Sequence, residues 1–400
     1  MVDMAMKTMR LGDIVDFKNG KVFPDNNGDI PIFGGNGVLG YSNQYNYKRC
    51  LIIGRVGAYC GSVHYFNEQC WVSDNAIVGI VNNVKADDYY IYYLLKLLNL
   101  NKKSIGSSQP LLTQGILDNI QIKIHKDLKI QQSIAKILSQ LDQKIALNNQ
   151  INAQLEQMAK TIYDYWFVQF DFPDENGKPY KSSGGEMVYD EVLKREIPVG
   201  WSAKELAHLG EIVGGSTPNT ANSENFCENG IAWITPNDLS NNQGNKFIAN
   251  GEKNISQEGI KDANLKVYPK STVLMSSRAP IGYMAISLNE VTTNQGFKSF
   301  IPNKGYSQYF IFYTIKNMMN KIIKSSSGST FKEISASVLK QLNFCSPNKN
   351  ILDNFDEKIK SIFSHQENLE KQNQQLTQLR DFLLPMLMNG QVGVSDELNQ

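Results

Sequence analysis

Two stretches of the chain place apolar or tolerated residues in steps of three and four for four or more heptads. The first runs through Ile134, Ile137, Leu141, Lys144, Asn148, Ile151, Leu155, Met158, Ile162 and Tyr165. The second runs through Phe355, Ile359, Ile362, Gln366, Leu369, Asn373, Leu376, Arg380 and Leu383. Such spacing draws one stripe along a helix and is the signature of a coiled coil. Asn148 and Asn373 fall inside the stripes, where an asparagine fixes register at a cost in stability. Two amphipathic helices, each packed on its own globular domain, would show a similar pattern. The polar positions in the stripe favour a partner helix.

Ahead of each long helix the pattern shortens to apolar runs bounded by glycine and polar turns, which reads as strand-rich. These runs occur twice in the same order. Leu11-Gly12-Asp13-Ile14-Val15 returns as Leu209-Gly210-Glu211-Ile212-Val213. LIIGRVGAYCG with Arg55 returns as VLMSSRAPIG with Arg278, and Ser73-Asp74-Asn75-Ala76 as Thr293-Asn294-Gln295-Gly296. An aromatic helix YYIYYLLK at 89–96 returns as YFIFYTIK at 309–316. A glycine turn from Ser104 returns from Ser326, aligning Gly106 with Gly328, Leu117 with Leu339 and Ile120 with Leu342. A long internal repeat decides architecture before local detail does. The expected fold is α+β: two strand-rich domains in pseudo-two-fold repeat, joined by two long antiparallel coiled-coil helices.

The boundaries follow from the pattern. Residues 1–125 form the first strand-rich domain and 126–200 a central helix (126–169) with a linker. Residues 201–347 form the second domain, 348–392 a distal helix and 393–400 a tail. The linker, 170–198, is polar and contains Gly and Pro; it reads as extended with one short helix. The first stripe spans about 48 Å at about 1.5 Å per residue, or roughly 14 base pairs of duplex. On that reading the helices act as a ruler between two readers.

Composition narrows the class. The chain has 400 residues, 41% hydrophobic and 20% charged. No apolar run reaches the roughly 18 residues that suggest a membrane span. Five cysteines without a C-x-x-C pair and four scattered histidines indicate neither a disulfide framework nor a metal cluster. A reducing cytoplasm is the expected setting. Net charge is +1, but it alternates: residues 1–125 carry a net +2, 126–200 a net −2, 201–347 a net +4 and 348–400 a net −3. Two basic domains on acidic connectors suit a nucleic-acid partner. Catalysis finds little support. There is no phosphate loop and no adenine-methyltransferase N-P-P-Y or D-P-P-Y sequence. Asp13, Asp74 and Asp238 show no paired spacing for acid–base work.

VLMSSRAPIG (273–282), IYDYWFVQFDF (162–172), IPVGW (197–201) and LRDFLLPMLMNGQV (379–392) together resemble the specificity subunit of type I restriction-modification enzymes. The resemblance covers about residues 8–394. It implies two target-recognition domains, each reading one half of a bipartite sequence in double-stranded DNA, and helices that hold methylation subunits, expected to number two. It implies a non-catalytic chain that binds no cofactor itself. S-adenosylmethionine, ATP and Mg would act on the methylation and restriction subunits. A coiled-coil adaptor that binds only protein, or the specificity subunit of a fused restriction system, stays open. The first copy departs from the pattern: it has GRVGAYCG where the second has SRAPIG, and it lacks an IPVGW-like lead-in.

Base readout needs hydrogen-bonding side chains at fixed geometry, and phosphate contact uses Lys, Arg, Ser and Thr. The candidates in the first copy are Arg55, Ser73, Asn75, Lys102, Lys103, Ser107, Ser108 and Gln109. In the second they are Ser276, Ser277, Arg278, Thr293, Asn294, Gln295, Lys321, Lys324, Ser329, Thr330 and Lys332. Arg55 and Arg278 fit either a structural or phosphate-contacting role or base reading. For the helix seam and partner docking the candidates are Ile134, Leu141, Asn148, Leu155, Ile162, Trp166, Phe167, Ile362, Leu369, Asn373, Leu376, Leu383 and Leu384. The aromatic helices at 89–96 and 309–316 read as core.

Overall fold

Alternating burial in strand Tyr47–Gly54 sets the plan of the first half of the chain. Leu51 and Ile53 face one core, Cys50 and Ile52 another, as the two-residue period of a strand requires. The computed structural model describes residues 6–24, 27–106, 109–328 and 332–393. The chain divides into two units, residues 1–147 with 373–400, and residues 148–372. The division falls within the two long helices, Leu128–Tyr163 and Lys349–Met388, so each unit holds a strand-rich domain and a segment of both helices.

In the first unit a six-stranded sheet runs in the order Val15–Asn19, Ala76–Val81, Tyr47–Gly54, Val63–Val72, Ile30–Gly34, Gly37–Ser42. Its neighbours are antiparallel except Ile30–Gly34 with Val63–Val72. Helix Asp88–Leu97 covers one face, started by Asp87, whose carboxylate accepts from the Tyr90 amide at 2.9 Å. Tyr90, Tyr93 and Leu94 are buried there with Ile134, Leu138, Leu387 and Met388 from the long helices. A separate two-stranded ladder pairs Met6–Arg10 with Gln121–His125. The buried His125 ring meets the Leu387 carbonyl at 3.0 Å. The helix segments run antiparallel here: Asp142 pairs with Arg380 at 2.7 Å, while residues nearer the start of the first helix meet the end of the second.

The second unit repeats this plan. Ser202–Glu205 pairs with Asn343–Ser346 as the small ladder. A five-stranded sheet follows the order Glu211–Val213, Ser299–Ile301, Val273–Ser277, Ile281–Ser287, Phe247–Ile248. A three-stranded sheet follows the order Lys253–Ile255, Phe226–Ile234, Val291–Thr293. Helix Gln308–Lys324 starts at Ser307, whose hydroxyl accepts from the Phe310 amide at 3.2 Å. The helix segments are antiparallel again, with Asn148 beside Gln372 and Asn152 beside Glu370. Phe167 anchors the aromatic joint, with ring centroids 4.9 Å from Phe310 and Phe355, 5.1 Å from Tyr163 and 5.9 Å from Trp201.

Two expectations need correction. The first stripe drifts: Met158 and Tyr165 are exposed, whereas Asn152, Ala159 and Tyr163 are buried. An α-helix turns every 3.6 residues, so a 3.5-residue stripe rotates away unless it supercoils. Here the aromatic core of the strand-rich domain also claims a face of the helix. Ile134, Leu141, Asn148, Leu155, Ile162, Trp166, Phe167, Ile362, Leu369, Asn373, Leu376, Leu383 and Leu384 are all buried or half-buried. The linker forms no helix between 170 and 198. It makes a hairpin, Met187–Asp190 with Arg195–Pro198. The Asp190 carboxylate ties the turn by accepting from the amides of Val192 and Leu193, and Phe172 stacks on both Tyr180 and Trp201.

In both units the aromatic helix is tied to the first long helix by a tyrosine and a carboxylate. The Tyr93 hydroxyl donates to Asp142 at 2.7 Å, and Asp142 pairs with Arg380. The Tyr313 hydroxyl donates to Glu156 at 2.9 Å, and Glu156 pairs with Lys246 at 2.6 Å and Lys316 at 2.7 Å. Lys246 is buried. It also donates to Tyr313 and Gln366 and lies over the Phe363 ring. Burial pushes its ammonium down to about 8, against the pull of Glu156. Burial also works against charge on Glu156, but the two lysines outweigh it and hold the carboxyl at about 2.

A carboxyl depressed on folding stabilises above its ordinary range and loses that contribution as pH falls toward its folded value. For Glu156 this window runs from 4.5 to about 2, and the contribution is at most on the order of 3 kcal/mol. Glu156→Gln is therefore expected to be less stable than the parent at pH 7, with the difference in urea midpoint narrowing across that window. A difference that stays constant to pH 2 would refute the assignment.

Candidate nucleic-acid interface

In the first unit, five loops are stitched together by backbone bonds. The Gly20 amide donates to Ala76 and the Lys21 amide to Val72, both at 3.0 Å. Ser73 donates to Phe33 at 2.8 Å, Arg55 to Asn75 at 3.0 Å, Gly57 to Pro110 at 3.1 Å and Leu112 to Arg55 at 2.9 Å. Side chains add to this: Ser62 donates to the Gly35 carbonyl, and the Asn101 amide to Cys60 at 2.8 Å. The second unit makes the equivalent joints. Ser216 donates to Thr293 at 3.0 Å, Asn294 to Ile234 at 3.2 Å, Ser277 to Gly296 at 2.7 Å and Ile334 to Ser277 at 3.1 Å. The Trp71 indole donates to Lys21 in one unit and the Trp233 indole to Ser216 in the other, although the tryptophans stand on different strands. The glycine turns also match: Ile105 and Leu111 exchange two backbone bonds, as do Ser327 and Glu333, and Gly106 and Gly328 both have positive φ.

These joints revise the sequence alignment by one residue. The carbonyl that receives Leu112 belongs to Arg55, and the one that receives Ile334 belongs to Ser277. Arg55 is thus the counterpart of Ser277. Arg278 is the counterpart of Val56, as their bridges to Glu333 and Leu111 confirm. In a strand a shift of one residue turns the side chain to the other face, so the two arginines do not occupy one site.

Of the base-reading candidates, Ser73, Ser276, Ser277 and Thr293 are fully buried and present no side chain to a ligand. The Ser276 hydroxyl donates to the Pro280 carbonyl and accepts from the Tyr283 amide, and the Thr293 hydroxyl lies against that of Tyr268. Ser276 joins its strand end through its hydroxyl, and Ser73, Ser277 and Thr293 join the loops through their backbones, in place of the expected side-chain contact. Asn75, Lys102, Lys103 and Gln109 are exposed and Arg55 half-buried, all on the stitched loops. In the second unit Gln295 is exposed and shares a hydrogen bond with Thr217, while the Asn294 side chain caps its own turn by accepting from Gly296. Lys324 and Lys332 are exposed, and Lys321 donates to the Asn343 carbonyl at 3.3 Å, off the loop cluster. Ser107, Ser108, Ser329 and Thr330 lie outside the described residues.

Two residues absent from the sequence reading complete the second cluster. Glu333 faces Arg278 at 3.7 Å and Lys298 at 3.8 Å, so one carboxylate serves two cations. Burial lowers the Lys298 pKa; Glu333 opposes that shift and Arg278 adds to it. The residual positive charge suits an anion. Lys298 stands just before strand Ser299–Ile301 and Glu333 in a loop remote from Arg278 in sequence, so no local pattern marks them. Among the described residues no helix is long and apolar enough to cross a membrane, and no group of acidic, His and Cys side chains could hold a metal.

Comparison with known proteins places these features in context. The family model of the type I restriction modification DNA specificity domain matches residues 4–157 and 198–379. The MjaIX specificity subunit of Methanocaldococcus jannaschii is 39% identical over 195 residues, 46% of this chain and 45% of that protein, so the match spans about half of that relative. The HindI specificity subunit of Haemophilus influenzae is 29% identical over 339 residues, 72% of this chain and 73% of that one. The crystal structure of the S subunit of a type I restriction-modification system from M. genitalium superposes with a TM-score of 0.63. It is 15% identical and covers 97% of both chains, a likeness of fold.

Both clusters rest on a glycine at their first joint. A Cβ on Gly20 would overlap the Ser73 carbonyl, and one on Gly215 the Thr293 carbonyl. Gly215→Ala is expected to cost about 1–3 kcal/mol, as overpacking does. Gly115→Ala, where nothing lies within 4 Å and φ is not positive, serves as the control for replacing a glycine alone. Urea unfolding measures both, and equal losses would show that the joint is not tight.

Proposed function

This chain belongs to the type I restriction modification DNA specificity domain family, and we propose that it is the sequence-reading subunit of a type I restriction-modification assembly. The observation that carries this reading is the loop cluster built twice on one backbone plan with different exposed side chains. A shared scaffold with divergent tips suits two readers of two different half-sites in one duplex. Phosphate contacts by Lys102, Lys103 and Lys332 would position the protein, and side chains on the loops would read base edges. The chain itself would be non-catalytic. Methylation subunits, two by the symmetry of the repeat, would dock on the long helices, where Leu147 and Phe382 in one unit and Met158 in the other are exposed. S-adenosylmethionine would act on those subunits, ATP and Mg on restriction subunits, and the whole in the cytoplasm.

The deciding experiment maps adenine methylation across the source genome with and without the gene. Loss of one bipartite motif with a fixed degenerate spacer is expected on deletion; an unchanged methylome, together with DNA binding that does not weaken with salt, would sink the reading in favour of a protein-binding adaptor. Within the assembly, Lys102→Gln is expected to weaken binding to all sequences alike and lower the salt slope by about 1. Arg278→Ala is expected to relax one half-site only.

A further inference from the structure

The two loop clusters share a backbone but differ consistently in chemistry. Lys21 and Ser216 make the same joint, so the next residues correspond: Val22 in the first unit, Thr217 in the second. The one-residue correction pairs Val56 with Arg278. The exchanged bonds of the glycine turns pair Ile105 with Ser327. At all three positions the first unit is apolar and the second offers hydrogen bonds.

Exposure sharpens the contrast. Val22 is 75% exposed and Ile105 54%. Leu39, 43% exposed, packs its side chain beside Gly34, next to Ser73; Tyr59, 53% exposed, lies beside Gly35 and Gly54. Val22, Tyr59 and Ile105 stand on loops of one stitched cluster, and Leu39 on the edge strand Gly37–Ser42 beside it. In residues 201–347, among the described residues, the sole exposed large hydrophobic is Val338, at 38%, and it lies on helix Ala336–Gln341, away from the tips. Contiguous exposed apolar side chains on a soluble surface mark an interaction site. Lys21 adjoins Val22, and Lys102 and Lys103 lie just before Ile105; with Asp74 the exposed carboxylate of the same loops, the balance is positive, as a phosphate-facing surface requires. Base edges in the major groove are polar except for one group, the thymine C5-methyl.

Resting on the reading of this chain as a DNA specificity subunit, we propose that the first domain recognises its half-site by apolar contact with thymine methyl groups. The second domain recognises its own half-site by hydrogen bonds from Arg278 and the hydroxyl-bearing loops.

The test uses the assembly with its methylation subunits and a duplex carrying the mapped target. Thymines are replaced by deoxyuridine, one half-site at a time, which removes the methyl and leaves pairing intact. Loss of affinity of about fourfold per contacted methyl is expected in one half-site and none in the other. An assembly carrying Ile105→Ser or Leu39→Ser is expected to lose that discrimination while still binding DNA. Equal sensitivity of both half-sites, or none, overturns the proposal while leaving the specificity role intact. A sensitive half-site whose discrimination survives both substitutions overturns it too. Absence of any bipartite binding overturns the role and the proposal together.

Discussion

A tyrosine hydroxyl bonded to a carboxylate on the first long helix is the joint on which each unit's arrangement depends. Tyr93 on Asp142 and Tyr313 on Glu156 tie the aromatic helix of each unit, and through it the sheet, to that unit's segment of the first long helix. Charges placed this far from water are weak stabilisers: desolvation offsets much of their attraction, and an apolar replacement of the whole group is often neutral. What they supply is direction. An apolar face slides at little cost, whereas a carboxylate that must meet a tyrosine and a cation at once fits one position. The second unit commits more to this. Lys246 is buried between Glu156, Tyr313 and Gln366, and the Glu370 carboxylate accepts from the amides of Lys246 and Phe247.

From that fixed base, the loop tips inherit a defined geometry. Buried hydroxyls at Ser73, Ser276, Ser277 and Thr293 stand at the ends of strands, where the chain turns outward. Small polar side chains are useful there because they pack closely and can serve backbone groups, as Ser276 does for Pro280 and Tyr283. Framework and exposed tips are thus separate layers. The inner layer is small, buried and similar in both units; the outer layer is exposed and free to differ.

This layering explains what the sequence could and could not disclose. The repeat, the aromatic helices, the glycine turns and the long helices were legible because each depends on a local period or on a turn residue. The offset that aligns Gly106 with Gly328 also aligns Thr113 with Ser335, the two residues that cap the following short helices. The drift of the seam at Met158 and Tyr165 was not legible, because it depends on a face claimed by a domain distant in sequence. The hairpin at Met187–Pro198 was hidden by a polar composition that suits a linker equally well. The roles of the serines were misjudged for another reason: a serine at a strand end looks alike whether it points in or out. Glu333 and Lys298 meet Arg278 only through the tertiary fold.

The slip between the arginines carries the broadest consequence. Matching Arg55 to Arg278 by type suggests one conserved contact made twice. Matching by backbone bonds sets Arg55 against Ser277 and Val56 against Arg278. The two guanidiniums then stand at non-equivalent positions of the shared backbone plan. A duplicated chain can therefore keep every joint of its scaffold and still present unlike chemistry at each equivalent tip. Two tips built this way need not present the same chemistry, and the asymmetry arises without any change in the fold that holds them.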